Sequence, residues 1–467
     1  MAIKFSVELP LFFAFFSFSL INTLNTNLII YRTCYLILGF DKNNCSLLGN
    51  VYNATTEALE KIVQPKADVI MMTKTSIDSV FGAILCLFVG SWSDRFGRKP
   101  VIVANFIGYT VMMWIMTAFA ALEEVSPWYM LMCTIPVVLS GGGASFLAIL
   151  LAYLTDITSV EHRGLQMGIF EAFMGAAVLL GNLSSPYLLS ATNYVMVYLI
   201  AMLSLFLGLL YVILLIPESL ETIETGNKIR GFFQTQNIVG MFKTTLRERP
   251  GYGRSIILLL VVSLAIYFTT VAGDTSVIFL FMREQFHWTF KQFTYFSSFC
   301  SINWILGSII LVYVIHHKWK VQESFLILIG FVTMTIGAFI QGLAQVDWLI
   351  YFAAVIKIPS TCISPMTKSM LSKLVEDNES AKIFAVFTIM SNLLGLVGAP
   401  LFTTLYNATM GSSPGIFNFV TGSGQAMNTI YLLVVIWLLR RTQSTPYSSI
   451  SNENQDSVIT PQNETDN

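Results

Sequence analysis

Twelve stretches of mainly apolar residues, separated by short polar breaks, run along the chain at 10–30, 71–92, 100–122, 127–154, 165–190 and 194–216, then 254–282, 293–315, 323–345, 348–371, 383–406 and 417–439. Each approaches or exceeds the roughly 20 residues that a helix needs to cross the hydrocarbon core of a bilayer. The runs are solidly apolar rather than alternating, which argues against the strands of a membrane barrel. Helices suit them better, because each helix closes its own backbone hydrogen bonds where lipid offers none. The first stretch follows Lys4, is too long for a signal peptide and has no small-residue cleavage site after it, so it reads as a retained span.

The spans fall into two sets of six around a polar segment from Pro217 to Gly253, in which Lys228, Arg230, Lys243, Arg247 and Arg249 mix with Glu218, Glu221, Glu224 and Glu248. This pattern predicts an all-α membrane protein built as two six-helix bundles around a shared cavity. The expected division is a first bundle over 1–216, a cytoplasmic linker over 217–253, a second bundle over 254–441 and a disordered polar tail over 442–467. With the N-terminus placed in the cytoplasm, 17 Lys and Arg lie in cytoplasmic segments against 6 in outer ones. The positive-inside bias therefore puts both termini in the cytoplasm. The outer loop 31–70 then carries two sequons, with Asn44 and Asn53 as glycan acceptors, whereas the sequon at Asn463 stays idle.

Composition narrows the class further. Apolar residues make up 55% of the chain and charged residues only 11%, against roughly a quarter charged in soluble proteins. Mean hydropathy is +0.68. Soluble enzymes, fibrous chains and disordered chains are excluded. The net charge of −1 offers no basic field for nucleic acid. Partners are thus the bilayer and a small solute.

Charges inside a bilayer are expensive and usually functional. Seven fall within the spans: Lys74, Asp78, Asp156, Glu171, Asp274, Lys357 and Lys368. Lys74 and Asp78 stand four apart on one helical face, where they can neutralise each other. Asp156 and Lys368 lie near span ends and can snorkel to the interface instead. Glu171 and Asp274 have no opposite charge beside them in sequence, and none of His162, His287, His316 and His317 falls inside a predicted span. Glu171 and Asp274 are therefore the candidate proton-coupling groups, with the proton as coupling ion and no other cofactor. Lys357 and Lys368 give the cavity positive charge and are the candidate substrate-binding groups for an anionic solute. Tyr267, Tyr295 and Trp304 could stack on a planar ring but are expected to serve packing. The run Gly141-Gly142-Gly143 is read as close helix contact, with a hinge as the alternative. Cys34 and Cys45 share the oxidising outer loop and can pair, whereas Cys86, Cys133 and Cys362 are small apolar core residues. A bond to Cys300, within the eighth span, is less favoured. No spacing suggests a metal site, a nucleophile–base pair or a Walker-type phosphate loop, so neither an enzyme nor ATP drive is expected.

The most specific motif joins spans two and three: Gly90-Ser91-Trp92-Ser93-Asp94-Arg95-Phe96-Gly97-Arg98-Lys99-Pro100. It resembles the loop signature G-x-x-x-D-R-x-G-R-[KR] of the major facilitator superfamily. Gly90 lets two helices approach, Gly97 permits a tight turn, and Asp94 can pair with an arginine or cap a neighbouring helix. Gly90, Asp94, Arg95, Gly97, Arg98 and Lys99 thus form a candidate conformational gate. Asp156, and Arg163 in Glu161-His162-Arg163-Gly164, complete the candidate gate and, with Pro217-Glu218-Ser219, resemble further facilitator punctuation. The counterpart loop His316-His317-Lys318-Trp319-Lys320 keeps only the positive charge.

Within that superfamily the chain resembles the proton-coupled folate transporter branch, solute carrier family 46. The stretches that carry the likeness are Gly90 to Pro100, Leu139-Ser140-Gly141 through Asp156, Phe170-Glu171-Ala172, and Lys368-Ser369-Met370-Leu371-Ser372-Lys373-Leu374-Val375, together with the twin sequons. The resemblance implies import of folates or other organic anions with protons, and for some members lysosomal work on peptide-like or nucleotide-like cargo. By position it implies that Glu171 is the coupling carboxylate, Lys368 stands where the branch has a substrate-handling arginine, Asp94 is the loop aspartate and Asp274 is an acid of span seven. The chain departs from the branch at Thr269, where a histidine is usual, and at Phe286-His287-Trp288, where an outer cysteine is usual. The resemblance therefore reaches the coupling machinery further than it reaches the cargo.

The expected function is secondary active, proton-coupled import of an organic anion such as folate by alternating access. The alternatives are a pH-independent uniporter of a neutral solute such as a sugar, and a non-transporting receptor on a transporter scaffold. The expected location is the plasma membrane. Tyr447-Ser448-Ser449-Ile450 resembles a Y-x-x-Φ motif for a sorting adaptor and so points to endosomes or lysosomes as well.

Overall fold

The computed structural model describes residues 7–48, 54–220, 246–247, 249, 251–286, 288, 290–375, 379–409 and 413–444. Asn53, His287, residues 221–245 of the linker, Tyr447–Ile450 and Asn463 lie outside the described residues. Among those described, the elements are helical and no strand occurs.

Twelve helical segments are long and apolar enough to cross a membrane. They are α1 Glu8–Ile37, α2 Pro65–Phe96, α3 Lys99–Ala121, α4 Pro127–Ile157, α5 Arg163–Ala191 and α6 Tyr194–Leu215, then α7 Gly253–Phe286, α8 Tyr295–His316, α9 Glu323–Leu343, α10 Asp347–Lys373, α11 Ala381–Thr409 and α12 Ile416–Arg441. Their outer faces keep large apolar side chains such as Trp114, Leu214, Ile430 and Trp437 exposed, as a lipid solvent allows.

The packing repeats with an offset of six helices. In the first bundle α1 packs on α5 and α6, and α3 packs on α6. In the second α7 packs on α11 and α12, and α9 packs on α12. The two bundles meet where α2 and α4 touch α11, and where α5 touches α8 and α10.

Two spans break near their middles. In α4 the helix stops at Leu139 and restarts at Gly142, with Gly141 at φ +105° and Gly142 at φ +71°. Only glycine adopts that region freely. A Cβ on Gly142 would lie 2.8 Å from the Cα of Gly82 on α2. The break brings two backbones together, as the close-contact reading expects. In α10 the first helical piece ends at Ile356, a 3-10 turn runs Ile358–Cys362, and the helix resumes at Ile363. Lys357 and Lys368 therefore do not share one continuous helical stripe.

At one end of the molecule, here the disulfide end, Cys34 and Cys45 are bonded. The other four cysteines are free. Arg32, read from sequence as a loop charge, is instead part of α1 and buried. Its guanidinium donates to the carbonyls of Phe119 at 2.7 Å and Ala120 at 3.3 Å, the last turn of α3. A cation there offsets the negative end of the α3 dipole.

Candidate functional site

A cavity of about 820 Å³ lies between the bundles, walled by α4 and α5 on one side and by α7, α8, α9, α10 and α11 on the other. Its volume is in the range that holds a drug-sized ligand. Four of the sequence-predicted charges line it: Glu171, Asp274, Lys357 and Lys368. Aromatic side chains, among them Tyr267, Phe268, Phe279, Trp304 and Phe387, supply much of the rest. Tyr295 is not among them and is exposed instead.

Glu171 and Lys368 come together across the bundle interface. Lys368 Nζ donates to Glu171 Oε1 at 2.5 Å, and both side chains are buried. Ser364 Oγ, one turn earlier on α10, donates to the same oxygen at 3.0 Å. The ammonium also sits 5.3 Å from the ring centroid of Phe387 on α11. The interfacial position allowed for Lys368 by its place near the span end is therefore corrected: the side chain points inward because a buried carboxylate faces it.

The second pair of charges is arranged differently. Asp274 Oδ1 accepts from Thr421 Oγ1 at 2.7 Å, and Lys357 Nζ donates to Gln341 Oε1 at 2.6 Å. Each has a neutral hydrogen-bond partner while both line the same cavity. Cys300 also lines it as a free thiol.

At the other end of the molecule, the Arg98 end, Arg98 is wholly buried. Its guanidinium donates to Asp94 Oδ1 at 2.5 Å, Asp156 Oδ2 at 2.9 Å and Ser93 Oγ at 3.0 Å. Burial works against its charge, but Asp94 and Asp156 outweigh that effect and hold the guanidinium above its ordinary pKa. Of the two roles open to Asp94 from sequence, it takes the arginine. The helix cap falls to Glu218, whose carboxylate accepts from the backbone N–H of Arg98 at 2.8 Å and of Lys99 at 3.1 Å. Gly97, at φ +113°, makes this turn, and a Cβ there would come 2.5 Å from Glu218 Oε2. Ser219 Oγ donates to Asp156 at 2.8 Å, and Lys99 Nζ to the carbonyl of Ile213 at 2.9 Å. The guanidinium of Arg95 stands 5.4 Å from the ring centroid of Phe96. Asp156 is thus held by Arg98 and Ser219 with its side chain buried, and does not snorkel outward.

Among the described residues, several contacts tie the bundles at this end. Lys382 of α11 stands 3.8 Å from Asp94 Oδ2. Arg163 Nη1 donates to the carbonyl of Ser372 at 3.0 Å. Gly90 faces α11 so closely that a Cβ on it would lie 2.9 Å from the Cβ of Ala385. His316 closes α8 as its last residue, rather than lying wholly outside a span. Its Nε2 is 3.8 Å from Glu323 Oε1, which also accepts from Lys373 at 2.7 Å and Ser369 at 2.5 Å. Asn44 is exposed on a short helix, Lys42–Ser46, beside the disulfide.

Sequence reasoning missed Ser364, Gln341, Thr421, Lys382 and the capping role of Glu218. Only Glu218 gave a signal, through the Pro217-Glu218-Ser219 break.

The family profile of the Major Facilitator Superfamily matches residues 11–399. A Drosophila melanogaster protein named "Probable peptidoglycan muropeptide transporter SLC46" is 28% identical over 90% of this chain and 83% of its own length. The proton-coupled folate transporter of Bos taurus is 23% identical over 74% of each chain. Among solved structures, the human organic anion transporter MFSD10 (TETRAN) superposes with a TM-score of 0.70 at 14% identity, covering 91% of this chain and 97% of that one.

Proposed function

The chain belongs to the Major Facilitator Superfamily, a family of transporters rather than enzymes, and on that premise we propose that it moves an organic anion together with protons by alternating access. Its curated relatives of solute carrier family 46 include a transporter named as proton-coupled. The observation that carries the reading is the Glu171–Lys368 pair in the cavity between the bundles.

The cavity holds two carboxylates and two ammonium groups, so with all four ionised it is electrically neutral. A proton on Glu171 removes the partner of Lys368 and leaves a buried ammonium uncompensated, which is costly. An anionic solute supplies the missing charge. Proton and anion thus stabilise each other's binding, which is the linkage a symporter needs. Asp274 provides a second protonation point beside Lys357. The aromatic lining accepts a flat or apolar body, and folate is the first candidate, with muropeptide the next from the printed name of the fly relative. A neutral sugar would leave this charge arrangement unused.

The ties at the Arg98 end, from Asp94–Lys382 to Arg163–Ser372, act as a latch between the bundles. With the Arg98 end in the cytoplasm, as the distribution of Lys and Arg favours, the latch closes the inner side and the cavity loads from outside or from a lumen. Acidic outer solution then drives import.

The test is uptake of labelled folate, and of a muropeptide in parallel, into cells expressing the protein, at acidic and neutral outside pH. Acid-stimulated uptake of either supports the reading. Uptake indifferent to pH, in cells where surface labelling shows the protein present, goes against it.

A further inference from the structure

A second cavity, of about 280 Å³, lies inside the first bundle, walled by α1, α2, α3 and α4. Asn22, Asn25, Lys74, Asp78 and Tyr109 are among its polar lining residues. None of them belongs to the Glu171 cavity. Lys74 Nζ donates to Asp78 Oδ2 at 2.8 Å. Asp78 Oδ1 is closed off from solvent and has no hydrogen-bond partner among the described residues. Leaving a buried acceptor unpaired is unfavourable. Lys74 carries three N–H donors and uses one on Asp78. Lys74 and Asp78, one helical turn apart on α2, both line this cavity, and Lys74 brings unused donors to it.

The fold holds this arrangement firmly. The α4 break brings Gly142 against Gly82, and a Cβ on Gly142 would also lie 3.7 Å from the carbonyl of Asp78. Asn25 is tied by Tyr198, whose hydroxyl donates to its Oδ1 at 2.5 Å. The cavity lies just under the lower end of the range for drug-sized ligands and so suits a small group.

We propose that this cavity binds a zwitterionic group of amino-acid type, its carboxylate on Lys74 and its ammonium on Asp78. The ligand is a free amino acid, a short peptide or the zwitterionic end of a larger solute. The proposal rests on the transporter reading but not on Glu171, and binding reads it without any transport.

The test is isothermal titration of the full-length, detergent-purified protein with dialanine as probe. Dialanine capped by N-acetylation or by C-terminal amidation serves as control. The expected result is that dialanine binds the wild type and Glu171→Gln alike, while either cap weakens binding at least tenfold. Lys74→Met and Asp78→Asn are each expected to weaken it at least tenfold too. The capped probes require no variant, so a failure of either substitution to fold leaves the test intact. Equal binding of free and capped dialanine, no binding of dialanine to monodisperse wild type, or full binding by a folded Lys74→Met/Asp78→Asn double variant overturns the proposal. Loss of acid stimulation in Glu171→Gln with dialanine binding intact separates this subsite from the coupling carboxylate.

Discussion

Lys368 on α10 reaches across the bundle interface to Glu171 on α5, with 2.5 Å between Nζ and Oε1 although the two stand 197 positions apart in sequence. The pair therefore reports on both bundles at once. A change of charge on Glu171 is felt by the half of the molecule that does not contain it, which is what coupling a proton to a rocking movement requires.

The pair also has a stability signature. Removing one member of a buried ion pair costs about 3–5 kcal/mol, whereas replacing both with neutral groups costs much less. Lys368→Met should lower the thermal unfolding midpoint of the purified protein markedly, and Glu171→Gln/Lys368→Met should recover most of the loss. Additive losses in the double variant would mean that the two residues do not act as a pair.

Arg98 is held by Asp94, Asp156 and Ser93 in a buried network. Arg98→Ala strands two carboxylates and should cost roughly 3–5 kcal/mol, seen as low surface yield and a depressed midpoint. Lys382→Ala removes only a partly exposed cross-bundle partner at 3.8 Å. It should leave folding intact but loosen the latch, so that a cysteine placed at Ala385 labels several-fold faster with a maleimide. Unchanged labelling would remove Lys382 from the gate.

How much of this was legible in the sequence depends on the range of each interaction. The twelve spans were readable because bilayer crossing is a local matter of length and polarity. Span eight, expected at 293–315 and found as Tyr295–His316, shows the usual slip of a residue or two. That Asp94 pairs with an arginine was readable as one of two roles, but which arginine was not, since the helix ends at Phe96 and the turn at Gly97 is what brings Arg98 back to it. What sequence could not show was partnership across the fold. Lys368 offered a choice between snorkelling and facing the cavity, and only the position of α5 decides it. Arg32 looked like a loop charge because its carbonyl partners belong to α3, far along the chain. Nothing local marked Gln341 as the partner of Lys357 or Ser364 as a partner of Glu171.

Gly168 on α5 packs against α8 so tightly that a Cβ would come 2.4 Å from Val312 Cγ1. Gly168→Leu should therefore hold these helices apart, abolish uptake at normal surface expression and speed labelling at Ala385. Wild-type uptake in this variant would mean that the close contact is dispensable.

The disulfide end offers a test of orientation. If residues 31–70 face outward, Asn44 carries a glycan, and Asn44→Gln should increase gel mobility as glycosidase treatment does. Cys34 and Cys45 should react with a maleimide only after reduction. Breaking their bond, which closes a short loop, should cost about 2–3 kcal/mol. A glycan-free Asn44 in a fully processed protein, with the inner loops reactive from outside, would reverse the topology.

The central claim is that Glu171 carries the coupled proton. The most direct measurement uses proteoliposomes containing the purified protein and an internal pH dye, given whichever labelled anion the uptake test identifies. The account predicts that solute entry by the wild type acidifies the lumen and is speeded by acid outside. Glu171→Gln should lose both the proton entry and the acid stimulation, by tenfold or more. Undiminished proton entry with solute in the folded Glu171→Gln protein would contradict it.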